Sequence, residues 1–301
     1  MHLLNKIKMK INVCAFGSHH IAKGFPRFVE QARSMEIFDE INTWDQNSLD
    51  RDFKKLWGRY LIKYSRGYGY WCWKPYFILK ELEKLNDGDI LLYTDIGCFF
   101  NPKGKAKLEE YIQRTLKSET GILGVRSYEN NYNDMPETLY YDHNWTKADV
   151  FEYFGVRANK EVTHSTQFES TVIFFKKSSF TTKFVEEWYQ AYLDDYSLAT
   201  DSPSRIPNIP EFIENRHDQS IYSMLAKKYN IESFSTNEIF QRDWALLENY
   251  PIQAQRDKAY PSKYHYRFRF KIRKFYYYLW KVKYFFKDIF CGVYDQNIKP
   301  R

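Results

Sequence analysis

The stretch Gly67–Phe100, GYGYWCWKPYFILKELEKLNDGDILLYTDIGCFF, decides the fold. It predicts a glycine- and aromatic-rich turn, a helix opening at Pro75, and an apolar strand over Asp89–Phe100. Proline suits the first turn of a helix, where the missing N–H has no intrahelical acceptor to serve. Phe77, Ile78, Leu82 and Leu85 fall on one face of that helix. The strand delivers one carboxylate, Asp95, in the polar corner Tyr93-Thr94-Asp95-Ile96-Gly97. Open α/β sheets bind ligands beyond the carboxyl ends of their strands. Asp95 therefore marks the expected site, with Tyr93 and Thr94 beside it.

Toward the N-terminus, Ile11–Phe16 (INVCAF) reads as the first buried strand of a parallel sheet, stopped by Gly17-Ser18. Its end, Phe16-Gly17-Ser18, is a turn of the kind whose backbone N–H groups face a phosphate or base, and a plain strand-to-helix turn reads equally well. Phe25–Ser34 reads as a helix, Glu36–Trp44 as a second strand, and Leu49–Tyr64 as a basic helix broken at Ser65-Arg66-Gly67-Tyr68. Arg66, Gly67, Tyr68, Trp73 and Lys74 together suit a diphosphate, because glycine admits close backbone approach and the cations neutralise charge. The bland alternative is a solvated basic face with an aromatic core plug.

Toward the C-terminus, Pro102–Lys117, Lys147–Phe154 and Phe180–Tyr196 read as helices. Gly121–Val125, Thr171–Phe175 and Ile231–Phe234 read as short strands. Glu169 stands just before its strand, either as a salt-bridged end-cap or as a site residue. Arg216-His217-Asp218-Gln219-Ser220 precedes a helix over Ile221–Tyr229, and capping alone does not explain having Arg, His, Asp and Gln together. Asp201–Pro210 reads as a surface loop suited to closing over a ligand. The order of strands, helices and polar corners predicts one doubly layered α/β domain over residues 1–260.

The chain has 301 residues and a 44% hydrophobic fraction, enough for a substantial core. Its formal charge of +7 is concentrated, with nine basic residues and no acidic one between Pro261 and Lys287, so the rest is close to neutral. Nucleic acid is accordingly not an expected partner. Tyr264–Phe290 (YHYRFRFKIRKFYYYLWKVKYFFKDIF) instead predicts a cationic, aromatic amphipathic tail over 261–301 that rests on an anionic membrane surface. No apolar run nears the ~18 residues of a membrane span, and no secretory signal stands at Met1–Lys10. A cytoplasmic protein, peripheral on the inner face of the cytoplasmic membrane, is expected. Cys14, Cys72, Cys98 and Cys291 form no C-x-x-C pair and read as free thiols.

Together GYGYWCWKPYFILKEL (Gly67–Leu82), GDILLYTDIGC (Gly88–Cys98), TQFESTVIFFKKS (Thr166–Ser178), DSPS (Asp201–Ser204) and RHDQSIYSMLAKKY (Arg216–Tyr229) resemble a bacterial glycosyltransferase family with the GT-A fold, met in capsule and lipopolysaccharide synthesis. The resemblance spans about Lys10 to Trp244. It implies a Rossmann-type GT-A domain with a mixed central sheet, a nucleotide-diphospho-sugar donor, and a glycan or lipid-linked acceptor. It also implies Mn²⁺ or Mg²⁺, with Asp95 and His217 as ligands. The Asp-x-Asp pattern of such enzymes stands here as Asp95-Ile96-Gly97, without its second carboxylate. His217-Asp218-Gln219-Ser220 is similar to the His-Asp-Glu-Ser segment of the histo-blood-group glycosyltransferases, in which the Glu lies beneath the anomeric carbon. Gln219 takes that place, and a neutral amide cannot serve as a general base. Retention and inversion both stay open, with Asp218 expected at the donor and Glu169 at the acceptor. A non-catalytic nucleotide-sugar or carbohydrate-binding module of a membrane glycan-assembly complex is the alternative.

Overall fold

The computed structural model describes residues 8–63, 65–127, 140–241 and 243–255. The basic tail and Cys291 lie outside them. Strands β1 (Ile11–Phe16), β2 (Glu40–Trp44), β3 (Ile90–Thr94), β5 (Ile122–Arg126), β6 (Phe168–Lys176) and β7 (Glu232–Ser235) form one sheet in the order β2-β1-β3-β6-β5-β7. β1 runs parallel to β2 and β3, β6 is antiparallel to β3 and β5, and β5 is parallel to β7. The sheet is mixed, as the GT-A resemblance implies, and not wholly parallel. A second, two-stranded sheet pairs β4 (Phe99–Phe100) with β8 (Ile252–Gln253).

Side chains alternate across a strand, and both faces of this sheet are covered. Cys14, Leu91 and Tyr93 face one buried cluster, which the helices Trp73–Leu82, Ser179–Asp194 and Asp218–Lys228 close with Phe77, Trp188 and Ile221. Val13, Ala15 and Leu92 face the other, closed by Phe28 of helix Phe25–Ser34 and by Leu108 and Tyr111 of helix Lys105–Lys117. Burial on both faces explains why β3 reads as an unbroken apolar run. Cys14, Cys72 and Cys98 are buried and form no disulfide among the described residues.

β1 and the helix Phe25–Ser34 have the bounds that the sequence predicts. Others shift: β2 starts at Glu40, and the helices expected from Pro75 and Ile221 start at Trp73 and Asp218, which takes Lys74 and Asp218 into their first turns. Three further differences shape the site. The basic helix is only Arg51–Trp57, its start fixed where Asp50 accepts from Phe53 N at 2.8 Å. The strand read over Asp89–Phe100 is β3 and β4 separated by a turn in which Cys98 N donates to Asp95 O at 2.9 Å. A buried guanidinium makes that break: Arg27, 4% exposed, donates to the carbonyls of Ile96 and Cys98 and lies over the Phe99 ring. Burial pulls Arg27 down to about 10, still charged at neutral pH. The third difference is β6, which starts at Phe168 and so takes Glu169 into the strand.

Gly104 leads into the helix Lys105–Lys117 against the segment that feeds β8. An added Cβ there would stand 2.3 Å from Pro251 N and Tyr250 C, both backbone atoms that cannot swing aside. Gly104→Ala is expected to cost at least about 1–3 kcal/mol, the range for overpacking, as a lower urea midpoint with an unchanged slope.

Candidate active site

A cleft of about 530 Å³ opens beyond the carboxyl ends of β1 and β3. The entrance of β6 and the first turns of the helices Trp73–Leu82 and Asp218–Lys228 complete its walls. Parallel pairing of β1 with β3 puts Phe16 and Asp95 at the same end of the sheet. Antiparallel β6 returns its start to that end, where Asp95 N donates to Thr171 O at 2.9 Å.

The centre of the cleft is a lysine. Lys74 is 2% exposed, and its ammonium stands 2.6 Å from Asp218 Oδ2, 3.5 Å from Asp95 Oδ1 and 3.2 Å from Ser170 Oγ. Ser170 Oγ donates to Asp218 Oδ2 at 2.8 Å, and Tyr93 Oη donates to Asp95 Oδ1 at 2.7 Å. Burial disfavours the Lys74 ammonium, but the carboxylates of Asp218 and Asp95 outweigh it and hold the group above its ordinary range. Burial, reinforced by Asp95, pushes the Tyr93 phenol far up, so it remains a donor. Asp218 is nearly covered, whereas the Asp95 side chain is 40% exposed and keeps Oδ2 free of any partner among the described residues. Of the two carboxylates, Asp95 is the more open to the cleft.

One wall is a left-handed turn. Gly67, Tyr68, Gly69, Tyr70 and Trp71 all have positive φ, with Tyr70 N donating to Arg66 O and Trp71 N to Gly67 O. Left-handed backbone costs roughly 1–2 kcal/mol for each residue with a Cβ, so three of the five are held there by their surroundings. Trp73 Nε1 donates to Gly67 O and Tyr192 Oη to Tyr70 O. Gly67 is required, since a Cβ would lie 2.2 Å from the Trp71 ring.

His217 joins this wall and stacks on Trp71 at 5.4 Å. Its Nδ1 lies 2.7 Å from Ala199 O. A carbonyl only accepts, so Nδ1 carries the proton and the neutral ring leaves a lone pair on Nε2. Nε2 is buried without a hydrogen-bond partner, 3.7 Å from Asp201 Oδ1. Burial lowers the His217 pKa; the Ala199 bond opposes the shift and Arg66 adds to it. Asp201, from the loop read as a lid, also accepts from Arg66 at 2.9 Å and from Tyr70 Oη at 3.0 Å. Arg216 lays its guanidinium over Trp145, 4.1 Å from the ring centre.

Of the residues that the sequence singles out, Phe16, Gly17, Ser18, Arg66, Gly67, Tyr68, Trp73, Lys74, Asp95, His217, Asp218 and Gln219 all line this one cleft. Thr94 and Tyr93 are buried beneath it, Tyr93 acting through Asp95. Trp73 stacks on Phe16 at 3.9 Å and both are buried, 5% and 3% exposed, which leaves little of either ring for a base. Glu169 is not brought to the cleft, and it accepts from Thr236 Oγ1. The register accounts for this: Leu123 faces Phe174 whereas Val125 faces Glu169, so β6 carries extra residues in a bulge that changes which side chains share a face. Ser170, Lys63 and Asp201 are site residues that sequence reasoning did not assign. Ser170 and Asp201 stand inside quoted motifs, whereas nothing in the spacing marks Lys63.

The donor set does not fit a protein-held divalent ion at Asp95 and His217. The Lys74 ammonium already stands between Asp95 and Asp218, and His217 turns Nε2 toward Asp201. Among the described residues no three His, Cys, Asp or Glu side chains converge.

No family model matches the chain, and no curated protein does. Among solved structures it is similar to a glycosyltransferase involved in the glycosylation of the major capsid of PBCV-1, at 10% identity over 81% of this chain and 93% of that one, with a TM-score of 0.41. It is also similar to mouse xyloside xylosyltransferase 1, at 10% identity over 84% and 100% with a TM-score of 0.42. A third is the galactosyltransferase LgtC in complex with donor and acceptor sugar analogues, at 10% identity over 75% and 73% with a TM-score of 0.37. Likeness this loose assigns no reaction and no residue.

Two outcomes test the geometry. Lys74→Met leaves Asp218 buried without its counter-ion and should destabilise by about 3–5 kcal/mol. Lys74→Met/Asp218→Asn should recover part of that in urea denaturation, with a coupling of at least about 1 kcal/mol. The second concerns pH. The fold holds His217 below its ordinary value of about 6.5, so the unfolded chain takes up the proton first as pH falls. The stability owed to the neutral ring is full above that value and is lost as pH drops toward the folded value. The melting-temperature advantage of wild type over His217→Asn should therefore shrink between about pH 7.5 and about pH 5.

Proposed function

We propose that the chain is a glycosyltransferase moving a hexosyl group from a nucleotide-diphosphate donor to a glycan or lipid-linked acceptor in surface polysaccharide synthesis. The observation that carries this reading is the Lys74–Asp95–Asp218 cluster set beyond the carboxyl ends of two parallel strands, with Arg66 and Arg216 lining the same cleft. Cations there suit a departing diphosphate, and an open carboxylate oxygen suits sugar or ribose hydroxyls. The sequence resemblance points the same way.

In this reading Asp95 Oδ2 accepts from the donor's hydroxyls, while Tyr93 and Lys74 hold its other oxygen still. Arg66 and Arg216 offset phosphate charge, Arg66 exchanging Asp201 for the donor. Asp218 is a donor-side residue kept ionic and oriented by Lys74 and Ser170, and Gln219 lies under the sugar. The Lys74 charge is taken up by Asp218 and Asp95, so neutralising the phosphates falls to Arg66 and Arg216, and in this reading they do so without a divalent ion. No helix among the described residues is long and apolar enough to cross a membrane, and the basic tail brings the enzyme to an anionic membrane surface.

The test is a panel of UDP-, GDP-, CMP- and dTDP-sugars, read by thermal shift and donor hydrolysis with Mn²⁺ or with EDTA. One nucleotide class should raise the melting temperature of wild type in either condition, and Asp95→Ala should lose most of that rise. Slow hydrolysis of that donor separates an enzyme from a binding module. Binding of none of them overturns the reading, and a shift seen only with Mn²⁺ overturns the metal-independent form.

A further inference from the structure

The TQFES segment contains a residue that the cleft does not expose and the reaction does not touch. Gln167 is fully buried beside the start of β6. Its Nε2 donates to Asp142 Oδ1 at 2.8 Å and to Thr146 Oγ1 at 3.0 Å. Its Oε1 accepts from Gln219 Nε2 at 2.7 Å. Asp142 is also fully buried, and it accepts from Thr146 Oγ1 at 2.8 Å, from Ser223 Oγ at 2.7 Å and from the Lys227 ammonium. Lys227 is anchored further by Val162 O at 2.8 Å and Ser165 O at 3.2 Å.

These contacts have a direction. A carboxylate paired with an ammonium only accepts, so Gln167 must turn its NH₂ to Asp142 and its carbonyl oxygen the other way. A carbonyl oxygen also only accepts, so Gln219 must offer its own NH₂ to Gln167. The amide atom left over is Gln219 Oε1, which has no partner among the described residues, on a side chain that lines the cleft.

We propose that Asp142 and Gln167 are positioning residues that fix the Gln219 amide so that the cleft receives its carbonyl oxygen and not its NH₂. The use of that oxygen rests on the glycosyl-transfer reading: its negative dipole end faces a sugar carbon that gains positive charge as the diphosphate leaves. An unanchored amide would present its NH₂ part of the time, with the wrong sign of partial charge. Holding the dipole before the reaction removes that reorientation from the barrier.

The experiment uses the full chain with ¹⁵N-labelled glutamine side chains, the Gln219 signals being identified by their loss in Gln219→Met. In wild type the Gln219 NH₂ should exchange with solvent at least about tenfold more slowly than a free amide. In Gln167→Met its shifts should move and its exchange should approach the free rate. With whichever UDP-, GDP-, CMP- or dTDP-sugar is hydrolysed, Gln167→Met should lower kcat by up to about 10²-fold and leave KM within about threefold. A Gln219 amide that exchanges freely in wild type, or is unmoved by Gln167→Met, overturns the proposal, as does an unchanged kcat. The wild-type exchange rate decides the contact even if Gln167→Met does not fold. If no nucleotide-sugar binds, the transferase reading fails while the amide signals still judge the relay.

Discussion

Taking a lysine ammonium out of water costs several kcal/mol, and the cost is recovered only where opposite charge and hydrogen-bond acceptors are already in place. Lys74 meets that condition through four groups from three separate parts of the chain: Asp218, Asp95, and both the carbonyl and the hydroxyl of Ser170. The three residues that carry them sit in different parts of the fold, so the helix Trp73–Leu82, the end of β3, the start of β6 and the helix Asp218–Lys228 must all be assembled before the charge is satisfied. The same arrangement sets the character of the cleft. Asp218 is spent on the lysine and on Ser170, while Asp95 is held by one oxygen and left open by the other.

The walls around this centre carry strain that the core must offset. Three residues with a Cβ lie in left-handed backbone in the turn over Gly67–Trp71, and His217, in the same wall, is a fourth residue with a Cβ and a positive φ. Such conformations cost about 1–3 kcal/mol each and persist where the surroundings over-determine them. Here the surroundings are named contacts: Tyr192 on the carbonyl of Tyr70, Trp73 on that of Gly67, and Trp71 stacked on His217. The high aromatic content finds much of its use in these contacts. Tyr60 on Tyr196 and Phe16 on Trp73 are packed pairs, each ring covering the other.

Much of this was legible before any coordinates. Apolar runs of the right length gave β1 and β3, and polar corners at their ends gave Phe16–Ser18 and Asp95, because a doubly covered sheet forces polarity to its edges. Arg66, Lys74, His217 and Asp218 stood out as charges crowded beside aromatics. What stayed hidden depends on partners distant in the chain. Arg27 reads as an ordinary helical arginine until its two carbonyl partners, about seventy residues on, show that it cuts one expected strand into two. Glu169 reads equally as an end-cap or a site residue until the bulge in β6 sets it beside Thr236. Gln167, one of the more buried polar side chains, carries no charge and matches no spacing rule, so nothing short of the structure marks it.

Two networks of opposite kind meet in the first turn of one helix. Asp218 is tied to Ser170 within an ionic cluster, and Gln219, the next residue, is tied to Gln167 within a chain of amides that ends on a buried ion pair. Both ties cross from the helix Asp218–Lys228 to the start of β6, three residues apart on the strand side and one apart on the helix side. A single link would leave that helix free to rotate about its contact, whereas two links with different donors fix both its position and its rotation. The charged link sets where the carboxylate sits, and the neutral link sets which way the amide points. In the proposed glycosyl-transfer reading, a site that binds a charged leaving group and faces an electron-poor carbon needs both settings at once. Placing them on adjacent residues lets one helix start, with no loop intervening, hold the two in fixed relation.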